Sequence, residues 1–157
     1  MSLYVDGCMN KDTGKEAWAS VVDSDNKDMV SAHQILFTDL VIKKVSVPKG
    51  EYHVAVAKFS DVSSQQNNGA ELLATVMALR ICTSPGQKYE TIYSDSTLIL
   101  DWWSKGKVNK KTLSKMDDRK KGLISECKQL REQFESSGGE FGKISGAANP
   151  ADLGYHK

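Results

Sequence analysis

The chain has 157 residues, of which 39% are hydrophobic and 26% charged, and its formal net charge is +1. This composition excludes a disordered chain, and the length suits one domain, residues 1–157, built on one core. No run approaches the roughly 18 apolar residues that cross a bilayer, and Met1-Ser2-Leu3-Tyr4-Val5-Asp6 lacks the basic flank and apolar core of a signal peptide, so an intracellular, cytoplasmic protein is expected.

Residues 3–6, Leu-Tyr-Val-Asp, read as a strand ending in an Asp6-Gly7 turn, and residues 17–22 as a second strand beyond a loop containing Gly14. After the turn Asp23-Ser24-Asp25-Asn26, residues 29–37 extend the meander. Residues 38–51, with Pro48-Lys49-Gly50, form an excursion, and the alternation of Val54, Val56 and Lys58 with Ala55, Ala57 and Phe59 marks a further strand. From Asn68 the apolar period becomes helical. Leu72, Leu73, Val76, Met77 and Leu79 form a stripe that ends near Ser84-Pro85-Gly86, with Glu71 in its first turn. Residues 91–94 make a short strand closing on Asp95, and a second helix runs from Ser96 or Thr97 to Lys105. Leu123, Cys127, Leu130 and Phe134 share one face of a long helix between about Asp117 and the Ser136-Ser137-Gly138-Gly139 stop, and residues 140–145 supply one more strand. The order implies an α/β fold, a mixed sheet covered by helices.

Charge is unevenly spread. Residues 105–121 hold eight basic side chains (Lys105, Lys107, Lys110, Lys111, Lys115, Arg119, Lys120, Lys121) against Asp117 and Asp118, a local +6 that leaves −5 on the rest. Such a patch suits a phosphate-rich partner, although a solvated helix face has the same composition. Cys8, Cys82 and Cys127 are odd in number and lack CxxC spacing, so reduced thiols are expected.

Four carboxylates recur at element boundaries: Asp6 and Asp95 after apolar strands, Glu71 at a helix start, and Asp152 beyond the last strand. Individually each suits a turn, a cap or a terminal loop. Brought together they would repel and raise one another's pKa, and hard divalent cations would relieve that repulsion.

Leu3-Tyr4-Val5-Asp6-Gly7, Gln66-Asn67-Asn68-Gly69-Ala70-Glu71-Leu72-Leu73-Ala74, Tyr93-Ser94-Asp95-Ser96 and Asn149-Pro150-Ala151-Asp152 resemble, in order and spacing, the four motifs of ribonuclease H type 1. The resemblance implies a central mixed five-stranded sheet flanked by helices. It also implies a metal-dependent endonuclease for the RNA strand of RNA/DNA hybrids, leaving 5′-phosphate and 3′-hydroxyl ends. Asp6, Glu71, Asp95 and Asp152 would be both catalytic and metal-binding, holding two Mg2+ ions for which Mn2+ can substitute. Along the hybrid's minor groove the resemblance places Cys8, Asn10, Asn67 and Asn68, and Ser96 is a further substrate contact; Lys107, Lys110 and Lys111 would meet the DNA strand's phosphates, and the pair Trp102 and Trp103 before them, Trp103 as the candidate contact, would stack on sugars or stabilise the helix. A monomer is expected, with no membrane partner.

The sequence departs from the family pattern in three places. The loop before Asp152 reads Ser145-Gly146-Ala147-Ala148, without the histidine many members carry; His33, His53 and His156 lie elsewhere. Only five residues follow Asp152, too few for the usual C-terminal helix, and Thr97 stands where Gln often follows the Asp-Ser pair. Two rivals remain, a non-catalytic hybrid- or RNA-binding module on the same fold and a related nuclease or integrase-like activity on DNA. Four acidic residues at a phosphate site disfavour the first, and the double Asn with no DxE pair in the first strand disfavours the second.

Overall fold

A computed structural model describes residues 1–9, 16–60 and 66–153; the expected groove contact Asn10 and the C-terminal His156 lie outside them. The described strands are β1 (Ser2–Met9), β2 (Glu16–Asp23), β3 (Val41–Val47), β4 (Gly50–Lys58), β5 (Thr91–Ser94) and β6 (Glu140–Lys143). The helices are α1 (Met29–Ala32), α2 (Gln66–Thr83), α3 (Thr97–Asp101), α4 (Lys110–Lys115) and α5 (Asp118–Ser136). All six strands join one sheet in the order β3-β4-β2-β1-β5-β6, antiparallel from β3 to β1 and parallel from β1 to β6.

The mixed sheet is as expected, with six strands rather than five. The additional strand comes from the excursion, whose residues 41–47 pair along β4 as an edge strand. Lys43 and Lys44 lie exposed on it, the composition that discourages edge-to-edge association. Residues 29–37, in contrast, do not extend the meander. Asp28 Oδ1 accepts from Val30 N at 3.1 Å and Ser31 N at 3.2 Å, which starts a short helix, and a 3-10 turn over Gln34–Phe37 follows. Met29, Val30 and Phe37 are buried, with helical rather than strand geometry.

Central strand β1 is covered on both faces. Leu3 and Val5 pack with Ala17, Ala19 and Val21 under α2, whose Ala70–Leu79 stretch is buried against the sheet and α5. Tyr4 lies on the opposite face, beside a second cluster of Trp18, Val22, Val45, Tyr52, Val54, Val56, Ala151 and Leu153. Strand alternation puts Asp6 on Tyr4's face. The β3–β4 hairpin and the last described residues thus share one apolar seam. The long helix α5 begins where expected, with Asp117 Oδ1 accepting from Lys120 N at 2.8 Å. No helix among the described residues is long and apolar enough to cross a membrane.

Candidate active site

Asp6-Gly7 is not a turn. β1 continues through it to Met9, pairing Asp6 with Ser20 and Gly7 with Ala19. The glycine serves a close approach instead: a Cβ at residue 7 would stand 2.3 Å from the carbonyl carbon of Ala70 and 2.5 Å from Glu71 N. Only a residue without a side chain lets α2 lie directly on the strand. That contact brings Glu71 to Asp6.

The helix starts earlier than its apolar stripe indicates. It is described from Gln66, which puts Glu71 in the second turn rather than the first. Asn67 and Asn68 are intrinsically indifferent helix formers, and a tertiary bond holds this end: Asn67 Oδ1 accepts from Met9 N at 2.7 Å, tying α2 to the end of β1.

Asp95 arrives by register. The parallel pairing of β1 with β5 ends at Tyr4 opposite Tyr93, whose rings stack with centroids 5.1 Å apart. Two residues further on, Asp6 and Asp95 emerge at the same level, beyond the end of β5. Ser96 then caps α3, its hydroxyl oxygen accepting from Ile99 N at 3.3 Å, and the same side chain hydrogen-bonds Glu71. α3 ends at Asp101, and a separate 3-10 turn over Trp103–Lys105 completes the expected segment, because Trp102 leaves helical geometry with φ −128° and ψ −71°.

Asp152 sits in a loop fastened to the two central strands. Asn149 Nδ2 donates to Val5 O at 2.9 Å and Ser20 Oγ to Ala151 O at 2.6 Å, both buried. Within the loop, Asn149 Oδ1 accepts from Ala151 N at 3.1 Å, and Asp152 N donates to Asn149 O at 3.1 Å. The Asn-Pro pair is therefore a side-chain-closed turn, a role its residue types signal in the sequence.

One oxygen each from Asp6, Glu71 and Asp95 lies within 4.8 Å of the other two. Burial, followed by the charges of Asp95 and Asp152, pushes the Asp6 carboxyl up to about 7, against the opposing effects of Gly7 N–H and Lys49. Glu71 is also pushed up, first by burial and then by Asp95, while the hydrogen bond with Ser96 opposes the shift. Asp152 thus reaches the cluster through its charge on Asp6. A set of hard oxygen donors, in which burial and neighbouring charge disfavour the ionised forms of Asp6 and Glu71, fits a hard divalent cation such as Mg2+ or Mn2+.

The other expected contacts divide. Cys8 is buried at 6% exposure opposite Trp18. Of the tryptophan pair, Trp103 packs in the core at 3% exposure, whereas Trp102 is 54% exposed. Trp102 is the more exposed indole, and both tryptophans line a cleft of about 240 Å³ with Leu98, Lys107, Asn109 and Thr112. Lys107, Lys110 and Lys111 are exposed, but Lys120 is not part of the open patch: it is buried, its ammonium 4.8 Å from the Phe59 ring centroid. His53 pairs with Asp28, Nδ1 to Oδ2 2.8 Å, in the hairpin. Two lysines near the cluster have no local signal in the sequence. Lys143 Nζ donates to Asp95 O, and Lys49 Nζ reaches the Asp152 loop.

The RNase H family model matches residues 1–146. Among curated proteins no match is found. Among solved structures, LC11-RNase H1, isolated from compost by a metagenomic approach, is 19% identical with a TM-score of 0.51, over 96% of this chain and 89% of that one. RNase H1 from the halophilic archaeon Halobacterium salinarum NRC-1 is 18% identical with a TM-score of 0.48, over the same shares. LC11-RNase H1 in complex with an RNA/DNA hybrid is 17% identical with a TM-score of 0.45, over 94% of this chain and 87% of that one.

Proposed function

The chain belongs to the RNase H family, and from that premise we propose that it hydrolyses the RNA strand of RNA/DNA hybrids with two divalent metal ions, leaving 5′-phosphate and 3′-hydroxyl ends. The observation that carries this reading is the convergence of Asp6, Glu71 and Asp95, with Asp152 close enough for its charge to act on Asp6. A site that only bound nucleic acid would gain nothing from concentrating negative charge where a phosphate must enter.

Asp6, Glu71, Asp95 and Asp152 would hold the ions, Mg2+ with Mn2+ as a substitute. Bound there, divalent ions supply an activated water and offset charge on the leaving oxygen. The chain's own part is positioning. Gly7 lets Glu71 approach Asp6, Ser96 hydrogen-bonds Glu71, and the Asn149 turn holds Asp152 against β1 and β2. Discrimination would come from 2′-hydroxyls on one strand only, read across the minor groove by Asn67 and Asn68.

The decisive experiment incubates end-labelled RNA/DNA, RNA/RNA and DNA/DNA duplexes with the protein in Mg2+ or in chelator. Cleavage of the hybrid alone, and only with Mg2+, is expected. Binding of the hybrid without cleavage would establish the non-catalytic module instead, and cleavage in chelator would remove the metals from the reading.

The basic patch gives a separate expectation. Replacing Lys107, Lys110 and Lys111 together with Ala should weaken hybrid binding and flatten the plot of log affinity against log salt, by roughly one unit for each phosphate no longer neutralised. Turnover at saturating hybrid should change less. An unaltered salt slope in a fluorescence-anisotropy titration would return these lysines to a solvated helix face.

A further inference from the structure

We propose that Lys49, at the tip of the β3–β4 hairpin, is a positioning residue that clamps the loop carrying Asp152 into the carboxylate cluster. Lys49 Nζ donates to Asp152 O at 2.9 Å and to Pro150 O at 3.2 Å, bridging two carbonyls of the same turn. These bonds span roughly a hundred residues of chain, and they are made from an element that holds none of the four carboxylates.

The hairpin is built to present that ammonium. Val47 pairs with Gly50, so Pro48 and Lys49 are the two residues of the turn. Proline presets the backbone at the first of them. Gly50 has φ +130°, a conformation that side chains rarely adopt. Below the tip, Val45 and Tyr52 of the hairpin pack in the same cluster as Ala151 and Leu153, which flank Asp152. The apolar seam brings the hairpin over the loop, and the ammonium closes the contact at its polar edge.

The opposite side of the loop is already fastened by Asn149 to Val5 O and by Ser20 to Ala151 O. Lys49 anchors the turn from the outer side. Removing it takes two hydrogen bonds from the outer side of the turn and leaves the bonds of Asn149 and Ser20 on the inner side. The excursion 38–51 thereby acquires a role: it carries a hand across the sheet to a residue that its own strands do not reach.

This inference rests on the proposed nuclease reading, and the test separates the two. Lys49→Met removes the donors and keeps the length of the side chain; Lys49→Arg restores donors for the two carbonyls. Both are made in the full chain and studied first without metal, by hydrogen exchange and mass spectrometry. In Lys49→Met, amides of residues 149–153 should exchange about tenfold faster, Ala151 and Asp152 N–H being the bonded reporters, with no change in β1, β2 or α2. Mn2+ binding followed by electron paramagnetic resonance should weaken several-fold. Hybrid cleavage should fall about tenfold in kcat at unchanged KM, and Lys49→Arg should recover most of all three.

Unchanged exchange over residues 149–153 would overturn the clamp, as would faster exchange throughout the protein, which would mean general destabilisation. A fall in kcat with exchange and Mn2+ binding unaltered would also overturn it, because Lys49 would then act on the substrate directly. If exchange and Mn2+ binding respond as expected while the wild-type chain cleaves no hybrid, the clamp stands and the nuclease reading fails.

Discussion

Asp6→Asn should abolish metal-dependent cleavage of the hybrid, by at least about 10²- to 10³-fold, and at the same time stabilise the metal-free protein at pH 8. Both effects have one cause. Asp6 is buried at 8% exposure beside Asp95 and Asp152, which pushes its carboxyl from 3.8 up to about 7. A carboxyl whose pKa is higher in the folded than in the unfolded chain binds more protons when folded. Its contribution to stability is fully present below about pH 4 and is lost as pH rises through about 7. At pH 8 the ionised group costs up to about 4 kcal/mol, which corresponds to a melting temperature lower by on the order of 10 °C.

Asparagine fills the same space without the charge. In chelator at pH 8 the variant should therefore melt above wild type, and at pH 5 the gap should shrink to less than half. Mn2+ at pH 8 should raise the melting temperature of wild type more than that of the variant, which offers the ion one carboxylate fewer. Calorimetry at the two pH values, with and without Mn2+, checks each statement. A variant no more stable than wild type at pH 8 would mean that the carboxylates are not held in mutual repulsion.

Gly7→Ala should have the largest effect on stability of any glycine-to-alanine change among the described residues. Its Cβ would fall 2.3 Å from Ala70 C, 2.4 Å from Ala70 O and 2.5 Å from Glu71 N, all of them backbone. Backbone cannot rotate aside as a flexible side chain can, so α2 must move off β1, disturbing the main interface of the core. A loss of about 3 kcal/mol or more is expected, at the upper end of overpacking costs. Glu71 moves with the helix, so Mn2+ affinity should fall even in protein that remains folded. Urea denaturation gives the first quantity and Mn2+ titration below the transition gives the second. For contrast, a Cβ at Gly122 meets nothing within 4 Å, and Gly122→Ala in α5 should be neutral or slightly stabilising.

These two positions show how far local reading reaches. Asp6 and Gly7 are visible in the sequence as a dipeptide, and its ordinary meaning is a turn. Their real setting is the interior of a central strand, where the glycine answers to a helix that starts some sixty residues later. Glu71 and Asp95 are legible as carboxylates at element boundaries, because strand ends and helix starts leave patterns in neighbouring residues. That Asp6 and Asp95 stand level depends on the register of β1 against β5. No short stretch of chain encodes that register.

Residues close together in the chain suffice to specify the alternation and helical periods that build β2, β4, α2 and α5, the order of strands and helices, the four acidic residues and the concentration of lysines after α3. Apolar period, capping and charge act over such short separations, so each of these features can be read along the chain. Packing, in contrast, made residues 41–47 an edge strand, buried Trp103 and Lys120 while turning Trp102 outward, set Ser96 against Glu71, and brought Lys49 to the Asp152 loop. Those outcomes depend on which surfaces meet when distant segments come together. Burial, desolvation and hydrogen bonding between residues a hundred positions apart are set by the packed fold, and local composition contains no record of them.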